Sequence, residues 1–218
     1  LGAGKTINTE FSDFLEIQTR TAWGRALADF ADWCSPAAGT LLLDLGCGPG
    51  LLPALFTRRF GCRALGLDYD LALLSSAENP VVCADASLLP FAPASFDVVT
   101  ATNVIFLLRD PLSALRECRR ILKSDGTLAL LNPSEHLNQA AAAALADARN
   151  LDGKNRASLL GWAKRAEKHG GWSEAHTRNL LRRAGFSLCE TRLMLGPGFA
   201  RLARARPLTT PARVLQSK

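Results

Sequence analysis

From Thr40 onward, short apolar runs alternate with longer segments of helical period, the pattern that a parallel sheet covered by helices imposes on a chain. Leu41 to Leu45, apolar except for Asp44, predicts a buried strand, followed by a glycine loop and a helix around Leu51 to Phe60. Arg63 to Leu67 predicts the second strand and Leu71 to Ala77 its helix. Val81 to Ala84 predicts a third strand, and Phe96 to Thr102, with β-branched Val98, Val99 and Thr100, a fourth. Asp110-Pro111 opens a helix with proline in the first turn, and Leu112, Leu115, Cys118 and Leu122 mark its apolar face. Ser124-Asp125-Gly126 is expected to end that helix, with Thr127 to Leu131 as the fifth strand.

The flanks follow the same logic. Phe11 to Trp33 carries apolar residues at helical spacing and predicts one or two helices packed on the core. Ala140 to Ala148 is an alanine-rich helix with little to bury. Leu159 to Lys168 and Ser173 to Ala184 are helical, the second opened by Ser173 as N-cap and closed by Gly185. Phe186 to Leu195 and Phe199 to Ala205, separated by Gly196-Pro197-Gly198, predict an antiparallel hairpin that completes the sheet. The expected organisation is one α/β domain: helices over 1–39, a core over 40–132, a helical lid over 133–185, and a hairpin with tail over 186–218.

Composition agrees with this. At 218 residues, 48% hydrophobic and 21% charged, the chain builds one core but not two comfortable domains. Ordinary glycine and proline content excludes collagen-like and low-complexity classes. The stretch Val98 to Leu108 is far too short to span a bilayer, and the first fifteen residues, with Lys5, Glu10 and Asp13, hold no apolar core of signal-peptide length. A cytoplasmic protein with no membrane span is expected. Six cysteines without a Cys-x-x-Cys pair spell neither a zinc site nor a disulfide framework, and no metal is expected. All but Cys47 read as small buried hydrophobes. Residues 1–149 carry 12 basic and 16 acidic residues, net −4, whereas residues 150–218 carry 14 against 4, net +10. That basic third suits an anionic substrate, nucleic acid or a membrane surface, and equally a solvated basic face.

The chemistry concentrates in Leu43-Asp44-Leu45-Gly46-Cys47-Gly48-Pro49-Gly50, between the first strand and first helix. A dinucleotide fingerprint needs a third glycine where Leu51 stands, and a P-loop needs a Gly-Lys-Ser/Thr that does not follow. What the loop retains is a side-chain-free turn at the carboxyl end of a central strand, where open α/β sheets bind ligands. Gly46 and Gly48 let backbone approach a ligand, the next helix offers amides to a carboxylate, and Asp44 can fix the turn or receive a cation. Asp68 ends the second strand 18 residues beyond Gly50, where a carboxylate can accept both hydroxyls of a ribose.

These residues resemble the class I S-adenosylmethionine-dependent methyltransferases, in the small-molecule group of the ubiquinone and menaquinone biosynthesis enzymes. Asp44 to Gly50 resembles that family's nucleotide loop and Asp68 its ribose acid. Cys83-Ala84-Asp85-Ala86 with Leu89-Pro90-Phe91 resembles the adenine-edge motif, Phe96-Asp97-Val98-Val99 the fourth strand, and Arg116 through Gly126 the helix and turn before the fifth. The likeness covers roughly residues 40–132, and Leu180 to Phe186 matches again near the end. It implies a Rossmann-like sheet of seven strands with S-adenosyl-L-methionine as cofactor and S-adenosyl-L-homocysteine as product.

Residue by residue, the resemblance implies that Gly46, Cys47 and Gly48 touch the methionine part by backbone. Asp68 holds the ribose, Tyr69 lies on the adenine face, Asp85 and the Ala86 amide read the adenine edge, and Thr102 and Asn103 border the sulfonium. Tyr69 has packing as its competing role, and Asp85 has turn capping. Candidates for a general base are Glu135 and His136, with Asn103 as a further catalytic candidate; surface placement or capping competes for the first two. His169 and His176 fall in the basic region, and Trp162 and Trp172 either line an aromatic acceptor pocket or pack the lid. Val104 to Leu108 stands where relatives often carry His or Trp pairs, and no Asn/Asp-Pro-Pro-Tyr follows the fourth strand. Arg20 and Arg25 are candidates for the cofactor carboxylate, with ordinary helix charge as the alternative. Three functions are consistent with these residues: methyl transfer to a small, anionic or aromatic acceptor; methyl transfer to RNA; or a catalytically silent binding protein.

Overall fold

A computed structural model describes residues 22–208. Its seven strands are β1 (Leu41–Leu45), β2 (Arg63–Asp68), β3 (Val81–Cys83), β4 (Phe96–Thr102), β5 (Leu122–Pro133), β6 (Phe186–Met194) and β7 (Ala200–Pro207), in the order β3-β2-β1-β4-β5-β7-β6. The first five are mutually parallel, with Leu43 beside Leu65 and Val99, while β7 runs antiparallel to both β5 and β6. The helices are α1 (Ala22–Cys34), α2 (Leu51–Phe60), α3 (Leu71–Leu74), α4 (Pro111–Ile121), α5 (Gln139–Ala148), α6 (Gly153–His169) and α7 (Glu174–Arg183). No helix among the described residues is long and apolar enough to cross a membrane.

The alternation of side chains along each strand divides the core in two. Leu43, Leu45, Val99, Ala101, Leu128 and Leu130 face α4 and α7, where Leu115, Cys118, Ile121 and Leu181 are buried. Leu42, Ala129 and Leu131 face the other way, onto Leu27 and Phe30 of α1, Leu52 and Phe56 of α2, and Trp162 and Ala163 of α6. The chain leaves β1 for β2 on one side and returns through β3 to β4 on the other. The strand order therefore reverses between β1 and β4, and a crevice opens at their carboxyl ends.

Three elements differ from expectation. The α4 helix ends at Ile121, and Ser124-Asp125-Gly126 lies inside a longer β5: Leu122 pairs with Phe96, Thr127 with Val98, and the residues between form a bulge opposite Asp97. Asp97 holds the bulge, accepting from Lys123 Nζ at 2.5 Å and from the Leu41 amide at 2.9 Å, and the Lys123 bond keeps its carboxyl below the usual range. Helix α6 begins at Gly153, earlier than its apolar residues, and α3 is a single turn capped by Asp70. The hairpin, the Ser173 cap and the Gly185 stop (φ +85°) lie where expected. The β6 edge carries a bulge of its own at Cys189, between Leu188 opposite Ala205 and Glu190 opposite Arg204. Cys83 and Cys189 are exposed rather than buried, whereas Cys47, Cys62 and Cys118 are buried.

Candidate active site

Because β1 to β5 are parallel, the segments that follow them collect along one sheet edge, and nearly every candidate residue lies on it. After β1 the backbone turns through left-handed Gly46 (φ +71°) and Gly48 (φ +53°), a region costly for any residue with a Cβ. A Cβ at Gly46 would lie 2.7 Å from the Val104 side chain, so the turn is pressed against the exit of β4. The Gly46 and Cys47 amides donate to the Leu67 carbonyl (2.7 and 3.0 Å), and the Gly48 amide donates to Asp68 Oδ2 (2.8 Å). With these N–H groups committed to β2, the turn offers a ligand carbonyl oxygen and bare Cα, not amide donors. The Cys47 side chain packs inward, its Sγ where a Gly66 Cβ would be (2.6 Å), and burial raises its thiol pKa. Gly50 caps α2 without a side-chain acceptor, which leaves the first amides of that helix uncapped by a side chain.

Asp44 is 1% exposed and accepts from Thr100 Oγ1 at 2.7 Å; burial raises its pKa to about 7. Asp68 accepts one backbone N–H on each oxygen, Gly48 on Oδ2 and Asp70 (3.0 Å) on Oδ1, which leaves a lone pair free on both. Tyr69 is 79% exposed, so its ring packs no core. Leu88, 77% exposed, follows β3 on the same edge. Asp85 caps its own turn: Oδ1 accepts the Ser87 amide (2.7 Å) and hydroxyl (2.8 Å), and these bonds lower its pKa. Oδ2 receives no bond among the described residues. Ala86 is buried beside it.

At the exit of β4, Thr102 pairs with Leu131, and Asn103 adopts a left-handed conformation (φ +56°). The Asn103 amide donates to the Leu131 carbonyl (2.7 Å), and its Oδ1 accepts from Trp162 Nε1 of α6 (3.1 Å). After β5, Glu135 is held by Arg201 (2.8 Å), a β7 residue 7% exposed that also donates to the Trp172 carbonyl (2.9 Å) and Thr191 Oγ1 (3.0 Å). His136 is exposed beside Glu135, Nε2 to Oε1 3.9 Å. Trp162 and Trp172 are both buried; His176 lies against Trp172 (ring centroids 5.3 Å apart) and His169 against Phe106 (6.2 Å). Arg25 is an exposed residue of α1, and Arg20 lies outside the described residues. The sequence reading missed Val104 as the floor of the glycine turn, Arg201 as the partner of Glu135, and the Trp162–Asn103 bond. Only the aromatic character of Trp162 signalled the last, since Asn103 lies 59 residues away.

Comparison with known proteins agrees with this arrangement. Residues 43–130 match the family described as "Methyltransferase domain". Over 141 residues the chain is 31% identical to the ubiquinone/menaquinone biosynthesis C-methyltransferase UbiE of Roseobacter denitrificans, covering 59% of this chain and 55% of that protein. Over 130 residues it is 30% identical to the ubiquinone biosynthesis O-methyltransferase of Neisseria meningitidis, covering 53% and 55%. The chain thus spans little more than half the length of these relatives. Among solved structures, a candidate S-adenosyl-L-methionine-dependent methyltransferase from Methanococcus maripaludis shares the fold at a TM-score of 0.69 and 17% identity, covering 95% of this chain and 97% of that one. The matched core, residues 43–130, is thus similar to a methyltransferase domain, and over that core the chain resembles the ubiquinone and menaquinone methyltransferases.

Proposed function

We propose that the protein transfers a methyl group from S-adenosylmethionine to a small-molecule acceptor. The observation that carries this reading is the pairing of Asp68, with one lone pair free on each oxygen, and Tyr69, an aromatic ring left bare beside it. The bare ring offers an adenosyl group a face to stack on, and the free lone pairs of Asp68 can accept from its hydroxyls. The residues fit the cofactor elsewhere too: the free oxygen of Asp85 suits an exocyclic amino group. When bound, the cofactor supplies an electrophilic methyl group on a sulfonium centre.

The chain's own part is to bind, orient and keep dry. Asp68, Tyr69 and Asp85 hold the nucleoside, while the glycine turn leaves backbone carbonyls for a cationic group and the uncapped amides of α2 for a carboxylate. Val104 closes the turn with apolar surface, so an acceptor at the β4 exit meets little water. Orientation of two reactants in such a site removes several kcal/mol of barrier. A phenol or enol acceptor that ionises readily needs no strong base, which suits an edge where Glu135 is already tied to Arg201. A small acceptor is preferred to RNA because Arg156, Arg178, Arg201 and Arg204 of the basic third sit in ion pairs.

The test is calorimetric titration with S-adenosylhomocysteine, followed by transfer of labelled methyl from S-adenosylmethionine to phenols and reduced quinones. Binding is expected, and Asp68→Ala is expected to weaken it at least about tenfold through lost charge-assisted hydrogen bonds. Absence of binding to the unaltered protein overturns the reading. Transfer to RNA alone, with salt-dependent affinity, replaces the small-molecule assignment.

A further inference from the structure

Resting on that reading, we infer that Trp162 sets Asn103 to present hydrogen-bond donors to the acceptor, so that the site selects a substrate with a hydrogen-bond-accepting oxygen at or beside its reacting atom. An indole N–H can only donate. The atom of the Asn103 amide facing Trp162 Nε1 at 3.1 Å is therefore the oxygen, and this fixes the orientation of the amide group. Its –NH2 group makes no hydrogen bond among the described residues, so both donors remain for a ligand.

The position of Asn103 is set independently. Its amide is pinned to the Leu131 carbonyl of β5 at 2.7 Å, and the next residue, Val104, is packed on Gly46. The residue thus sits at the crevice between the glycine turn and the β5 exit. Its backbone is left-handed (φ +56°), a conformation that asparagine adopts more readily than other side-chain-bearing residues. Trp162 holds the side chain from α6, itself 8% exposed and set against Trp23 of α1 with ring centroids 5.7 Å apart. Trp162 is a positioning residue, acting through Asn103, whose amide contacts and orients the acceptor.

The chemistry that follows is specific. A carboxamide offering only N–H bonds favours a carbonyl, enolate or phenolate oxygen and gives nothing to an ammonium or to a hydroxyl that must donate. Two variants separate the clamp from its output. Asn103→Asp keeps an oxygen for the indole but removes both donors, whereas Trp162→Phe keeps the ring and removes the clamp.

The experiment combines spectra with kinetics. The four tryptophan indole signals of 15N-labelled protein are recorded, with Trp162 identified by its loss in Trp162→Phe. In Asn103→Ala the Trp162 indole proton is expected to exchange with water at least about tenfold faster, and in Asn103→Asp to stay protected. With labelled S-adenosylmethionine and a panel of phenols, reduced 1,4-naphthoquinone and alkylamines, transfer is expected only to the oxygen-bearing compounds. For those, Asn103→Asp is expected to lower kcat/KM about tenfold and Trp162→Phe to raise KM about fivefold, with S-adenosylhomocysteine affinity kept within about threefold. Unchanged kinetics in Asn103→Asp, indole exchange indifferent to Asn103→Ala, or transfer to amines or to none of the panel while S-adenosylhomocysteine still binds overturns the inference. Failure of the unaltered protein to bind S-adenosylhomocysteine overturns instead the reading beneath it.

Discussion

Tyr69 touches too little of the fold for its removal to disturb packing, yet it lies beside the carboxylate that staples the glycine turn. Tyr69→Ala is therefore expected to leave the melting temperature within about 1 °C while weakening S-adenosylhomocysteine by about fivefold to a hundredfold, the range that stacking of one base on one ring supplies. Melting and titration of the same preparation check both halves. Asp44 behaves in the opposite way, because its cost is to the fold. Burial raises its pKa to about 7 from an unfolded value near 4, so between those limits the folded state holds a proton that the unfolded state has lost. The contribution of Asp44 thus falls as pH rises through that window. Asp44→Asn stays neutral and keeps an oxygen for Thr100. Its melting temperature relative to the unaltered protein is expected to rise from pH 4 to pH 8, and a difference that stays flat over that range refutes the assignment. Asp68 and Asp85 were legible as acids after strands, because spacing from the glycine loop locates them. Their free oxygens were not, since those depend on which backbone amides fold back upon them. Glu135 shows the same limit: its polarity is local, but the Arg201 that occupies it arrives 66 residues later.

At the scale of elements, turn chemistry was the most readable signal. Ser173 accepts the His176 amide at 3.1 Å as an N-cap, and Ser173→Ala is expected to cost about 1 kcal/mol in urea unfolding, because a helix-end donor loses its partner. Local chemistry misled at Ser124-Asp125-Gly126, where a sequence resembling a helix stop lies inside a strand. Leu122 is buried and pairs with Phe96, and Gly126 lies close against the neighbouring strand, where a Cβ would stand 3.0 Å from the Asp97 carbonyl oxygen. Tertiary pairing overrode the local cue. The start of α6 escaped for another reason, because Gly153-Lys154-Asn155 carries no apolar period from which a helix could be inferred. Strands β1 to β4 were readable to within a residue, whereas β5 begins five residues before the apolar run that marked it.

Across the whole molecule, the reversal of strand order between β1 and β4 brings the glycine turn, Asp68 and Asn103 to one crevice from three separate segments. The β6–β7 hairpin braces that crevice from the far side, through Arg201 to Glu135, and is itself fastened to α1 where Arg204 lies 4.5 Å from the Trp33 ring centroid and Glu190 accepts its indole N–H at 2.8 Å. The hairpin also ends the sheet, and the bulge at Cys189 governs what that border can do. A straight border of nine residues is a template onto which a second copy can add its own strand, and the extra residue interrupts the row of backbone groups that would be offered. Deleting Cys189 restores an even ladder against β7 and is expected to turn a dispersed preparation into one that self-associates on storage, which light scattering over days would register.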